Sequence, residues 1–170
     1  MIKLKKKICF LTSTRADYGL LRDLIKTFKN NKNFDTKIIA CGTHFSSKFG
    51  NTFKEIHKDS FKIDLSIKIK IVDDSVLGSS NFFAKFSHEL SRGFKNIKPD
   101  MIIILGDRFE MLAASSIATI HNIPICHLHG GEKTEGAIDD SIRHAITKLS
   151  SIHFVSHKEY RNRVIQMGES

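Results

Sequence analysis

No run of about eighteen apolar residues occurs in the chain, so the sequence offers no segment long enough to cross a bilayer as a helix. The basic start at residues 1–7 is followed by a short apolar stretch, 8–11, which Thr12, Ser13 and Arg15 then interrupt; this makes a poor signal peptide. Cysteine is scarce. Cys9, Cys41 and Cys126 are odd in number, show no CxxC spacing, and each lies in a strand-like apolar run. That argues against a disulfide framework or a zinc ribbon and fits buried free thiols in a reducing cytosol. The expectation is a cytoplasmic protein with no membrane partner.

The short signatures of several enzyme classes are missing as well. No GxGxxG follows the first apolar run and no GxxxxGK[ST] occurs, which removes the NAD and P-loop readings. No GxSxG elbow occurs, which removes an α/β-hydrolase. Repeats, low-complexity tracts and long linkers are absent too. The net charge of +9 is unevenly placed: residues 1–70 carry 16 Lys/Arg against 6 Asp/Glu, net +10, and residues 71–170 carry 11 against 12, net −1. The lysines are scattered, without interleaved aromatics or an RNP-like segment, so they read as solvated faces rather than a nucleic-acid surface.

What is present is a regular alternation. A chain of 170 residues makes one domain with a real core. Apolar strand-like runs stand at 7–12, 36–41, 61–71, 101–105, 123–126 and 152–155. Between and after them lie helical stripes at 18–28 (Leu20, Leu21, Leu24, Ile25, Phe28), 46–57, 82–97, 109–121, 139–150 (Ile142, Ala145, Ile146, Leu149) and 158–167, with a polar loop at 73–80. This alternation predicts an α/β fold: a Rossmann-like, doubly wound, all-parallel sheet in three α/β/α layers with strand order 3-2-1-4-5-6. The switch point then lies between strands one and four, where open sheets bind ligands.

Three loops converge there: residues 13–19, 106–110 and 127–132. They offer Arg15 and Arg108, the carboxylates Asp17, Asp107 and Glu132, and the imidazoles of His127 and His129; Asp139 follows nearby. Arginine at the head of a helix suits phosphate through bidentate pairing and the helix dipole. Gly130 and Gly131 let backbone approach a ligand closely, and carboxylates beside them can move protons. Plainer readings stand alongside: Asp107 and Arg108 as an ion pair, Asp139 or Asp140 as a helix cap. His127 and His129 on one strand face, with Asp107, suggest a metal, but no third protein ligand stands at motif spacing.

The segments STRADYGLL, GDRFEMLAA, HLHGGEKTEGAIDDSIRHAITKLS and RVIQMGE, in that order, resemble the hydrolysing UDP-N-acetylglucosamine 2-epimerases of sialic and related nonulosonic acid synthesis. The resemblance spans essentially the whole chain. It implies the N-terminal half of a GT-B-like two-domain enzyme, with the domain at 1–170 and a second, nucleotide-binding domain outside these residues. It implies a reaction without metal or redox cofactor: UDP and the C2 proton leave to give a glycal, water adds at C1, and C2 is reprotonated on the other face. The partner implied is a UDP-sugar, and the full-length protein is expected as a homodimer or homotetramer. By resemblance Asp107 is the leading acid/base group and Asp139 a second; Arg15, Gly19 and Arg108 match nucleotide-contacting positions. His129 stands where some relatives carry Glu. With Glu132 it completes the catalytic candidates, and His127, Gly130, Gly131, Arg143 and His144 complete the substrate-binding ones. The substrate remains open between UDP-N-acetylglucosamine and UDP-N,N′-diacetylbacillosamine. A GT-B glycosyltransferase and a non-catalytic sugar-nucleotide-binding domain are the competing classes. Residues 1–170 alone are expected to turn over little.

Overall fold

A computed structural model describes residues 4–69, 75–134 and 138–170. In chain order its elements are β1 (Lys6–Thr12), α1 (Arg15–Asn30), β2 (Phe34–Ala40), α2 (Phe53–Lys58), β3 (Leu65–Ser66), α3 (Val76–Ile97), β4 (Met101–Leu105), α4 (Phe109–Ile120), β5 (Ile125–Leu128), α5 (Asp139–Leu149), β6 (Ile152–Phe154) and α6 (Lys158–Gln166). The six strands form one sheet in the order β3-β2-β1-β4-β5-β6, and every pairing is parallel. This is the expected order. At its centre Phe10 of β1 faces Ile38 of β2 on one side and Ile103 of β4 on the other.

The two-residue period of the strands divides the core into two layers. Cys9, Leu11, Ile39, Cys41, Ile102 and Ile104 pack with Phe86, Leu90 and Phe94 of α3, Met111 of α4 and Ile146 of α5. Their neighbours Ile8, Phe10, Ile38, Ala40 and Ile103 point the other way, onto Tyr18, Leu21 and Ile25 of α1 and Ile56 of α2. Fully buried side chains such as Leu21 and Ile25 contribute about 1.5–3 kcal/mol each. The three cysteines are free and buried, as expected, and burial pushes Cys9 up to about 12 and Cys126 to about 11, so neither is a nucleophile. On the α1 side a groove of about 610 Å³ opens over the sheet, lined by Ile103, Cys126, Leu128 and Phe154 together with Leu24 and Phe28 of α1.

Several boundaries differ from the periodicity reading. Helix α1 begins at Arg15 rather than at 18, because Thr14 caps it: its hydroxyl accepts from the Asp17 amide and the Asp17 carboxylate accepts from the Thr14 amide. Leu20, assigned to the buried stripe, is 63% exposed. After a 3-10 turn at Gly42–Phe45, the single helix expected at 46–57 is a second 3-10 turn, Ser47–Phe49, followed by the short α2. Gly50 and Asn51, both at positive φ, separate them. The strand expected at 61–71 pairs only at Leu65–Ser66, since the Asp64 carboxylate takes the Ile38 amide that a ladder would use; residues 70 and 71 lie outside the described residues. Helix α3 starts at Val76, inside the expected loop, capped by Ser75; the loop's first two residues, 73 and 74, are likewise outside the described set. Strand β5 runs two residues later than expected because Pro124 cannot donate to a ladder.

Candidate functional site

The carboxyl ends of β1, β4 and β5 carry the polar residues, and each end is built differently. At β1 the buried Asp17 accepts hydrogen bonds from the Ser13 amide (3.0 Å), the Ser13 hydroxyl (2.9 Å) and the Thr14 amide (2.9 Å), and also from the Thr12 hydroxyl. The Thr12 hydroxyl also lies 2.9 Å from His44 Nε2, and His44 Nδ1 lies 2.9 Å from the Thr52 hydroxyl. Burial lowers the His44 pKa. Asp17 is thereby used up in anchoring the start of α1. Arg15, the first residue of the same helix, is exposed and pairs with Glu55 at 3.4 Å. Gly19 lies exposed on α1, where an added Cβ would meet nothing within 4 Å.

At β4 the chain turns through Gly106, at φ +81, into Asp107 and Arg108. Arg108 caps α4 with its backbone, and its Nη2 donates to Glu110 Oε1 at 2.9 Å. It does not pair with Asp107, whose partner is Arg143. Burial opposes the charge on Arg108, but Glu110 and, more weakly, Asp17 hold its pKa above the ordinary value. Glu110 itself is fully buried.

At β5 one buried guanidinium ties the loops together. Arg143 Nη1 donates to Glu132 Oε2 (2.9 Å) and the His129 carbonyl (3.3 Å), and Nη2 donates to the Thr134 hydroxyl (3.0 Å) and to Asp107. Glu132 also accepts from the Ser156 hydroxyl at 2.8 Å and lies 2.7 Å from His129 Nδ1. Burial works against its charge, yet hydrogen bonds from Ser156, His129 and Arg143 hold its carboxyl below the usual value. Asp107, Glu132 and His129 therefore form one connected group. Asp139 lies one turn before Arg143 on α5, hence on the same face. Neither it nor Asp140 caps α5; Asp140 accepts from the Thr134 amide at 3.0 Å. His144 keeps a buried Nε2 with no hydrogen-bond partner among the described residues.

Four expected substrate contacts have other employment. His127 is fully buried, with Nε2 at 2.8 Å from the Gly106 carbonyl and Nδ1 at 3.2 Å from the Thr147 hydroxyl. It fixes the Gly106 turn to α5 and has no nitrogen left for a ligand. His129 does not share its face, because the strand ends and His129 adopts φ +64. Arg143 serves protein acceptors, as described. The two glycines answer to internal packing: a Cβ on Gly130 would lie 3.1 Å from both His127 Nδ1 and Thr147 Oγ1, and one on Gly131 would lie 2.4 Å from the Tyr160 carbonyl oxygen. Sequence reasoning missed Glu110 and His44. An acid at the second position of a helix reads as ordinary dipole compensation, and nothing in FEMLAA announces its burial.

His127 gives a testable pH dependence. Burial pushes its imidazole down to about 4 from an ordinary 6.5. The unfolded chain takes up that proton first as pH falls, so the site's stabilisation is complete above 6.5 and is lost on going down to about 4. The loss should be about 3 kcal/mol, read from urea unfolding at a series of pH values. A His127→Gln variant should show a shallower dependence over this window. An unchanged slope would assign the dependence to other groups.

The arrangement is one of carboxylates held by arginine, a carboxylate-oriented imidazole and a second arginine at a helix head. Such a set can move protons and hold an anion. Comparison with known proteins bears on what it acts upon. The family described as UDP-N-acetylglucosamine 2-epimerase matches residues 26–170. The GDP/UDP-N,N′-diacetylbacillosamine 2-epimerase (hydrolyzing) of Campylobacter jejuni is 47% identical over 165 residues, covering 97% of this chain and 43% of that protein. The UDP-N-acetylglucosamine 2-epimerase of Neisseria meningitidis serogroup B is 36% identical over 167 residues, covering 96% of this chain and 42% of that protein. A crystal structure of a UDP-N-acetylglucosamine 2-epimerase superposes with a TM-score of 0.87 at 18% identity, over 98% of this chain and 46% of that one. The chain thus spans less than half the length of the relatives it matches. With the expected sheet order, the matched residues and these identities in agreement, the chain belongs to the UDP-N-acetylglucosamine 2-epimerase family.

Proposed function

We propose that these residues form the N-terminal, Rossmann-like half of a two-domain hydrolysing UDP-sugar 2-epimerase. Its full-length form would convert UDP-N-acetylglucosamine and water to N-acetylmannosamine and UDP. The observation that carries the reading is the Arg143 hub, which gathers Asp107, Glu132 and, through Glu132, His129 at the ends of two adjacent parallel strands. In the first half-reaction a base takes the C2 proton as the C1–O bond to UDP breaks, leaving a 2-acetamidoglucal and UDP. In the second, water gives its hydroxyl to C1 and a proton returns to C2 on the opposite face. Both steps are redox-neutral and ask for proton transfer and for cations near the departing diphosphate. The reading therefore calls for no cofactor. Asp107, Asp139, His129 and Glu132 are its acid and base groups. Arg15, Gly19 and Arg108 meet the nucleotide, and His144, whose Nε2 has no partner among the described residues, is left for the sugar. The setting is cytoplasmic nonulosonic acid synthesis, in a homodimer or homotetramer that makes no use of nucleic acid.

A second reading of the substrate, UDP-N,N′-diacetylbacillosamine, is favoured by the 47% identity to the relative named for it, against 36% to the one named for UDP-N-acetylglucosamine. Incubating the full-length protein with each UDP-sugar and identifying the released sugar decides between them. Release of neither UDP nor a 2-epimeric sugar would leave a glycosyltransferase or a sugar-nucleotide-binding module. In the active enzyme Arg15→Ala should raise KM several-fold with kcat nearly unchanged, because it removes a contact made equally in ground and transition states. A fall in kcat at constant KM would place Arg15 in the chemistry instead.

A further inference from the structure

The fully buried Glu110 has no part in the chemistry above, yet its placement is costly. One carboxylate oxygen receives Arg108 Nη2 at 2.9 Å; the other, Oε2, is buried with no hydrogen-bond partner among the described residues, as is Arg108 Nε. Burying an ion pair returns its desolvation cost only when the remaining valences are satisfied. Here they are not, so the pair is a poor device for stability alone. The carboxylate also lies at the switch point itself. A Cβ on Gly42 would come within 3.1 Å of Glu110 Oε1 and 2.9 Å of the Ser13 carbonyl oxygen, so the ends of β1 and β2 and the head of α4 close around it. The Arg108 side chain, by contrast, is 41% exposed.

We propose that Glu110 is a positioning residue for nucleotide binding: it grips one edge of the Arg108 guanidinium from below and so presents the exposed remainder to the diphosphate of a UDP-sugar. The inference rests on the functional reading above. An unrestrained arginine carries substantial rotamer freedom that binding would have to remove. The carboxylate removes it in advance, and as a full counter-charge it holds the guanidinium more firmly than the amide oxygen of a glutamine would. The proximity of Glu110 also supports Arg108 in its charged form. The same carboxylate loses this effect when Arg108 is gone. It then has no guanidinium to orient and nothing to contribute to the ligand.

Glu110→Gln should therefore act only where Arg108 is present. In the full-length protein Glu110→Gln should raise the KM for the UDP-sugar and the calorimetric Kd for UDP about 3–10-fold, with kcat within about threefold. Arg108→Ala should raise both constants further. In the Arg108→Ala background, Glu110→Gln should leave them unchanged within about twofold, because no guanidinium remains to be held. A residue that only supports the fold would act by the same factor in both backgrounds. Thermal melting checks that each variant is folded, and Arg108→Lys, which keeps the charge without the planar fork, replaces Arg108→Ala if that variant melts early; Glu110→Gln should then weaken UDP binding less than it does beside arginine. An equal factor in both backgrounds, or no effect in either, overturns the inference while leaving the epimerase reading intact. A wild-type full-length protein that neither binds UDP nor releases it from a UDP-sugar overturns both.

Discussion

Asp107→Asn in the full-length protein should cut turnover by about 10²–10⁴-fold while KM changes by no more than about threefold. Asp107 follows Gly106 at the end of the buried β4, so its backbone is rigid, and its side chain is 23% exposed at the crevice. Arg143 fixes its carboxylate while also holding Glu132. Asparagine keeps the volume and an oxygen for Arg143, and Arg143 retains its other acceptors. What the substitution removes is the ability to take a proton. Steady-state UDP release separates the two parameters, and circular dichroism shows whether the variant is folded. Near-normal turnover in a folded Asp107→Asn would take Asp107 out of the mechanism and pass its role to Asp139, Glu132 or His129.

The largest stability effect is expected at Gly131. Its φ of +74 is a left-handed conformation that any side chain strains, at about 1–2 kcal/mol. A Cβ there would also lie 2.4 Å from the Tyr160 carbonyl oxygen and 2.8 Å from Val164 Cγ2, so α6 would have to move as a body. Gly131→Ala should therefore lose about 3–5 kcal/mol, a drop in Tm on the order of 10 °C for a chain of this size. Gly106 supplies the control. It has a similar φ of +81 but no atom within 4 Å of an added Cβ, so Gly106→Ala should lose only the left-handed term, about 1–2 kcal/mol. Equal losses at the two positions would show that the approach of α6 to Gly131 does not matter.

The framework of the fold was legible because it rests on burial patterns that the sequence prints directly. Runs such as 101–105, bounded by Pro99-Asp100 and Gly106-Asp107, have few alternatives to a buried parallel strand, and the order of the sheet then follows from handedness. What was illegible depends on single residues overriding a pattern. Gly50 and Asn51 cut one helix into turns, Pro124 delays β5, and the first turn of α3 escapes a burial search because Val76 and Leu77 are 87% and 70% exposed. The site shows the same division. Position at a strand end singled out Asp107, His129 and Glu132, which Arg143 and Glu132 bring together, but it also singled out His127, which the strand buries beneath α5. Helix α5 buries Ile142 and Ile146 as its stripe implies, yet Arg143 and Thr147 share the buried face while Ala145 is exposed. A charged residue on a buried face is visible only once its acceptors, here Asp107, Glu132 and Thr134, are brought to it from other loops.

The central claim is that the Arg143-organised crevice serves elimination and rehydration at C1 and C2 of a UDP-sugar. The most direct measurement is to run the full-length enzyme in D₂O with UDP-N-acetylglucosamine, and in parallel with UDP-N,N′-diacetylbacillosamine, and to examine the products by NMR. The account predicts UDP together with a free amino sugar inverted at C2, carrying one deuterium at that carbon, because the proton lost in the first half-reaction is replaced from solvent in the second. UDP release with the C2 hydrogen and configuration retained would contradict it, since simple hydrolysis or transfer of the glycosyl group never opens the C2–H bond.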